Sequence, residues 1–129
     1  MNSRRKGKEG ERSLCRKLRE YGYEVRRSQQ YAGANNDADV VGIDGLHIEC
    51  KYTAQGHGMT YDWIDQARSD SREGEISAVF HKKVSKEYRG NPWLVTLPID
   101  DFMKIWSEYD NTTQYRPCIC TRQVFCGGV

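Results

Sequence analysis

The pair Asp44-Gly45 constrains this chain more than any other feature. It stands between two stretches of extended character, residues 38–43 (Ala-Asp-Val-Val-Gly-Ile) and 46–53 (Leu-His-Ile-Glu-Cys-Lys-Tyr-Thr). A two-residue Asp-Gly connection favours a tight turn whose twist suits antiparallel strands, because glycine accepts positive φ without steric cost. The two stretches should therefore fold back on each other as a hairpin.

Other elements can be placed around that hairpin. Leu14, Leu18 and Tyr21 recur at spacings of four and three while Arg12, Arg16 and Arg19 take the opposite side, which predicts a helix over 8–21 that Gly22 ends. Residues 23–28 read as a strand, and Gly33, Asn35 and Asn36 as a loop. After the break at Gln55-Gly56-His57-Gly58, Thr60 is placed to cap a helix over 60–72 whose apolar stripe contains Trp63, Ile64 and Ala67. Two further strands over 76–81 and 93–97 are separated by a basic loop (Lys82, Lys83, Lys86, Arg89), and a final helix spans 99–109. The order αβββαββα predicts an α/β fold, a central sheet with helices packed on it.

A length of 129 residues with 37% hydrophobic residues suits one domain with one modest core. No apolar run approaches the ~18 residues of a membrane span, and the basic N-terminus lacks the apolar stretch of a secretory signal. A cytoplasmic protein without a membrane partner is expected. Five cysteines (Cys15, Cys50, Cys118, Cys120, Cys126), an odd number with two inside regular elements, point to reduced thiols. Charge is uneven: the first 35 residues hold ten of the twenty Lys/Arg and only four of the eighteen acids. Such asymmetry suits a phosphate-binding surface, although basic N-terminal arms also serve solubility.

The chemistry concentrates on the second hairpin strand. Side chains alternate across a sheet, so Leu46, Ile48 and Cys50 share one face, the expected core, and His47, Glu49 and Lys51 share the other. Antiparallel pairing can bring Asp39 beside Glu49 and Lys51. Two hard carboxylates can hold Mg²⁺ or Mn²⁺, and a lysine beside them can orient water or stabilise negative charge, a set suited to phosphodiester hydrolysis. Glu-x-Lys on a strand face is also common as a solvent-exposed pair. Context strengthens the chemical reading: Glu11 lies three and seven residues before Leu14 and Leu18, on the helix stripe that faces the sheet. Gln66, at the edge of its helix's apolar stripe, is placed to position Lys51 or water.

Beyond these patterns the chain resembles a known group. The runs Lys8-Glu9-Gly10-Glu11-Arg12, Tyr23-Glu24-Val25-Arg26-Arg27-Ser28-Gln29-Gln30, Asp39-Val40-Val41-Gly42 and His47-Ile48-Glu49-Cys50-Lys51 are similar to archaeal-type Holliday-junction resolvases, especially phage-encoded relatives, within the PD-(D/E)XK nucleases. Gln66-Ala67, His81 and Trp93-Leu94-Val95-Thr96-Leu97 extend the likeness over roughly residues 5–105. The resemblance implies a restriction-endonuclease-like fold with a central mixed β-sheet flanked by helices, a homodimer, and Mg²⁺-dependent cleavage of branched DNA without a nucleotide cofactor. It implies Asp39, Glu49 and Glu11, with Cys50, at the metal, Lys51 and Gln66 beside them, and Arg12, Arg26, Arg27, Ser28 and Gln29 on DNA. Lys82 and Lys83 offer a second contact region. One departure is Ala38, where that group usually has proline before its aspartate, and Asp37 offers a rival carboxylate. A phage or prophage origin follows from the same likeness.

Weaker signals complete the reading. The cysteines Cys118, Cys120 and Cys126 are too irregularly spaced to favour a zinc site. His47 is expected to hydrogen-bond locally or touch phosphate rather than ligate the metal, His57 to sit in a mobile glycine-flanked loop, and Trp63, Trp93 and Trp106 to fill core or dimer positions. The alternatives to a junction resolvase are a nicking, repair or restriction nuclease on the same scaffold, or a DNA-binding dimer without catalysis.

Overall fold

The computed structural model describes residues 3–28, 38–84 and 92–114. Gln29, the loop of Gly33 to Asn36, the rival Asp37, Lys86, Arg89 and the three C-terminal cysteines lie outside the described residues. The elements are α1 (Ser3–Arg19), β1 (Arg26–Arg27), β2 (Val40–Val41), β3 (Leu46–Thr53), α2 (Thr60–Asp70), β4 (Ile76–Lys83), β5 (Leu94–Thr96) and α3 (Ile99–Gln114). By contacts the chain divides into two compact units, Met1–Pro98 with the sheet, α1 and α2, and Ile99–Val129 with α3.

The five strands form one sheet in the order β1-β2-β3-β4-β5. Only β3 and β4 pair in parallel, from Leu46↔Ile76 to Thr53↔Lys83, and the other neighbours are antiparallel. Parallel strands need a crossover, and α2 supplies it. The result is the mixed sheet flanked by helices of a restriction-endonuclease-like α/β fold. The hairpin forms as its turn dictates: Leu46 N–H donates to Ile43 O at 3.2 Å, Gly45 has φ +83°, and Val40 pairs with Ile48.

Each face of β3 and β4 carries a helix. On one, Leu14, Cys15 and Leu18 of α1 pack with Val25, Val40 and Ile48, with Leu46, Cys50 and Phe80 partly buried against them. On the other, Trp63, Ile64 and Ala67 of α2 pack on Val79. The α1 contact is close at Gly10, where a Cβ would collide with the Cβ and Cγ of Tyr52. Glycine here lets the helix seat on the strand and carries the neighbouring Glu11 to the sheet.

Several boundaries differ from the sequence expectation. Helix α1 begins at Ser3 because its first turns are rich in Lys, Arg and Glu, good helix formers that carry no apolar period. It ends at Arg19, after which Glu20, Tyr21 and Gly22 donate to the carbonyls of Lys17, Leu18 and Arg19 and Gly22 adopts φ +93°. Tyr21 is thus 67% exposed and outside the apolar stripe. β1 and β2 are only two residues each, shorter than the extended runs around them. Thr60 is the first helical residue of α2 and not its cap: Met59 holds that position without a side-chain hydrogen bond. Finally, α3 runs on to Gln114.

Candidate active site

Asp39 sits immediately before β2 and is fixed by backbone on both sides. Its N–H donates to Ile48 O at 2.9 Å, and its carbonyl accepts from Ser28 N–H at 3.0 Å. Its side-chain Oδ2 accepts the Cys50 N–H at 2.8 Å, which clamps the carboxyl against β3. Asp39 is pushed up to about 7, first by burial and then by the negative charge of Glu49 beside it, with Glu11 adding to the same effect. The Cys50 N–H opposes this rise without cancelling it.

Glu49 is only 4% exposed and His47 only 2%. Only the opposite, apolar face was expected to be core; parallel pairing with β4 makes β3 an interior strand, and α2 covers this side as α1 covers the other. A buried carboxylate needs a partner, and His47 provides it: Nε2 lies 2.9 Å from Glu49 Oε1, with Glu75 Oε1 4.0 Å from Nδ1. The hydrogen bond to Glu49 raises the His47 pKa despite burial. His47 therefore orients Glu49 from two residues earlier on the same face of β3, the local bond its position suggested.

Lys51 continues that face. Its Nζ donates to Gln66 Oε1 at 3.3 Å and lies 6.0 Å from the centre of the Trp63 ring. The Lys51–Gln66 contact was anticipated from the edge position of Gln66 on its helix. Trp63 was read as filling a core or dimer position, and it does more than fill space: its ring flanks the ammonium as well as His57 and His81.

Glu11 reaches this site from α1, but its carboxylate is engaged: Arg27 Nε donates to Oε1 at 2.9 Å. Cys50 contributes its backbone N–H to Asp39, while its thiol turns to the α1 core and burial drives its pKa far above the usual thiol range. Such a thiol stays protonated and is a poor ligand for a hard cation. Among the DNA-facing candidates, Arg12 and Arg26 are exposed, Arg27 is half-buried on Glu11, and Ser28 uses its N–H on Asp39. Lys82 borders a groove with Arg16 and Lys17 of α1, away from the carboxylates, and Lys83 is exposed at the end of β4.

The donor chemistry fits magnesium or manganese. Burial, and then the charge of Glu49, make Asp39 resist ionisation, a penalty that a divalent cation held by these carboxylates would offset. Among the described residues no group of three or more His, Cys, Asp and Glu side chains is arranged to hold a metal. Magnesium suits such a sparse set, since it commonly takes one or two carboxylates and completes its shell with water and substrate phosphate.

One histidine departs from expectation. His57 is not a loose loop residue: Nε2 lies 2.9 Å from Thr53 O, Nδ1 lies 3.0 Å from His81 Nδ1, and its ring meets Trp63 edge-on. A carbonyl only accepts, so His57 carries its proton on Nε2 and its Nδ1 accepts from His81. The other nitrogen of His81 then accepts from Thr96 Oγ1 at 2.9 Å. Burial and the neighbouring His57 lower the His81 pKa, which favours the neutral form of that ring. Two histidines 24 residues apart in sequence gave no local signal of this. Trp93 stacks on Tyr52 with centroids 6.0 Å apart, and Trp106, on α3, is 47% exposed.

No helix among the described residues is long and apolar enough to cross a membrane. Residues 2–123 match the model of a family described as "Phage putative PDDEXK endonuclease". No curated protein matches the chain in sequence.

Proposed function

The chain belongs to this phage PDDEXK endonuclease family, and from that premise we propose that it is a homodimeric nuclease that cuts branched DNA, four-way junctions foremost, using Mg²⁺ or Mn²⁺. The observation that carries the reading is the buried pair Asp39 and Glu49, in which burial and the charge of Glu49 raise Asp39 to about 7, with Lys51 next along the strand face of Glu49. Asp39 and Glu49 would hold the metal, which would polarise the phosphodiester and lower the pKa of water. Lys51, steadied by Gln66, stabilises the charge that builds on the attacked phosphate or orients the attacking water. His47 keeps the Glu49 carboxylate aimed. Glu11 supports the site through its charge and its bond to Arg27.

The preference for junctions is supported by the resolvase-like runs around Glu11, Arg26–Arg27, Asp39 and Glu49, and by basic residues on α1 and β1 suited to phosphates. A junction presents a distinctive array of phosphates and not a unique base sequence, so recognition would rest on backbone contacts and shape. A two-fold dimer would place paired nicks symmetrically. In this reading residues 1–129 act as a single nuclease domain in the cytoplasm of a phage-infected or lysogenic bacterium.

The deciding assay compares a four-way junction, a duplex of the same arms, a flap and a single strand at matched salt, with the solution mass measured alongside. Symmetric paired nicks in the junction, with Mg²⁺ or Mn²⁺ and none in chelator, are expected, and Ca²⁺ should support binding only. Equal cutting of junction and duplex by a monomer would overturn the resolvase reading and leave a general nuclease.

A further inference from the structure

Between α1 and β1 a cleft of about 390 Å³ is lined by Arg12, Cys15, Arg16, Arg19 and Arg27. Four of its five lining residues carry a permanent positive charge. Arg12, Arg16 and Arg19 follow at spacings of four and three, so one helix stripe forms one wall, and Arg27 of β1 closes the other. The stripe alone would be an ordinary solvated helix face. The strand guanidinium opposite it turns the stripe into a concave site.

The charges in this cleft are not balanced internally. Glu11 is the acid bonded to Arg27, and Arg19 donates to the carbonyl of Val25 at 2.9 Å, a neutral partner. Among the described residues no acid forms an ion pair with Arg12 or Arg16. Like charges gathered in one concavity repel, and a bound anion would remove that cost. The floor is the buried Cys15 thiol, 2% exposed, whose pKa is raised by burial even though the nearby arginines pull it down. A poorly solvated floor strengthens attraction between guanidinium and anion.

We propose that this cleft is a phosphate subsite that grips the DNA backbone next to the scissile phosphate, with Arg16 at its centre. The proposal rests on the nuclease reading for its choice of DNA as the polyanion. Two features favour a continuous backbone over a free anion. Arg27 leads directly into Ser28, whose N–H donates to the Asp39 carbonyl, so the cleft is one backbone hydrogen bond from Asp39. Arg16 also borders the next groove along α1, where Lys17 is paired with Glu20 and Lys82 adds a further cation, so positive charge continues past the cleft through Arg16 and Lys82. Glu11 accepts from the Nε of Arg27, which fixes the guanidinium and makes Glu11 a positioning residue for the subsite as well as a neighbour of Asp39. Arginine suits the task, since its planar fork matches two phosphate oxygens.

The test is binding of a short fluorescent DNA duplex, and of a four-way junction, by the full chain in chelator, so that no cleavage enters the measurement. Affinity is read by anisotropy over a salt series for wild type, Arg16→Gln and Arg16→Glu. Thermal melts verify that both variants are folded, as the exposure of Arg16 leads one to expect. Losing one phosphate contact should lower the slope of log affinity against log salt by about one, and Arg16→Glu should weaken binding about tenfold or more. Titration with inorganic phosphate, followed by arginine side-chain NMR shifts, distinguishes the sources. Wild-type affinity and slope in both folded variants would overturn the subsite while leaving the nuclease reading intact. Phosphate binding at Arg16 without any DNA affinity would overturn the backbone assignment. A wild-type chain that neither binds nor cuts any DNA would sink the nuclease reading and the subsite with it.

Discussion

The two faces of strand β3 obey opposite rules. Toward α1, Ile48 is fully buried among Leu14, Cys15, Leu18, Val25 and Val40, an apolar contact whose free energy comes from removing hydrocarbon from water. Toward α2, the equally buried His47 and Glu49 pair with each other, and Lys51 leans on Gln66 and Trp63. No buried side-chain nitrogen or oxygen among the described residues lacks a hydrogen-bond partner, so the polar face is tolerated, but it still holds two carboxylates that repel each other. One strand thus stabilises the fold on one side and stores unfavourable charge on the other. The comparison teaches that the site's instability is local and chemical, not a weakness of the scaffold.

The largest effect should come from breaking the polar face. Replacing Asp39 or Glu49 with Ala is expected to reduce cleavage by roughly 10³-fold or more while junction binding in Ca²⁺ stays near wild type, because metal chemistry and backbone grip use different residues. Gel-shift and single-turnover assays on the same preparations check both halves. Lys51→Ala should also lose most activity, with metal binding largely retained.

Breaking the apolar face should do the reverse. Ile48→Ala removes a fully buried side chain from the α1 cluster and should cost about 2–4 kcal/mol in urea unfolding, with turnover per folded molecule little changed. A variant that loses turnover without losing stability would show that the two faces are not separable in this way.

A finer cut separates Lys51 from its support. Gln66→Ala leaves the lysine in place but frees its ammonium, and should lower the cleavage step by about tenfold, ~1.4 kcal/mol, without changing DNA affinity. An equal loss in affinity and turnover would instead assign Gln66 to DNA contact.

The smallest effect sharpens the claim of stored charge. Asp39 has an ordinary value of 3.8 and is raised to about 7 in the folded chain, so between these values the folded state holds a proton that the unfolded state has released. Its contribution to stability is full below 3.8 and is lost as pH rises through about 7. Asp39→Asn keeps an oxygen for the Cys50 N–H and removes the charge. In chelator the variant should therefore melt higher than wild type at pH 8, by roughly 5 °C, and the gap should narrow at pH 5. Added Mg²⁺ should raise the wild-type melting temperature at pH 8 and not that of the variant. A gap that stays constant with pH would mean that the Asp39 charge is not stored in the fold.

What the sequence determined by itself is what neighbours in the chain decide. The Asp44-Gly45 turn, the alternation that puts His47, Glu49 and Lys51 on one face, and the Trp63, Ile64 and Ala67 stripe of α2 all follow from periods of a few residues, and each forms as read. The Lys51–Gln66 contact was within reach for the same reason, because each residue's face was known from its own element. Tertiary structure alone decided that β3 and β4 run parallel with both faces covered, which buries Glu49 and makes His47 its partner. It also decided that Arg27 takes Glu11, that Arg27 and the α1 arginines enclose a common cleft, and that His57 is anchored by His81. These pairs lie 16 and 24 residues apart for Glu11–Arg27 and His57–His81. No local period encodes such distances. Their energies, and the elevated pKa of Asp39, depend on how much water the assembled layers exclude, which exists only once the sheet and its two helices have closed.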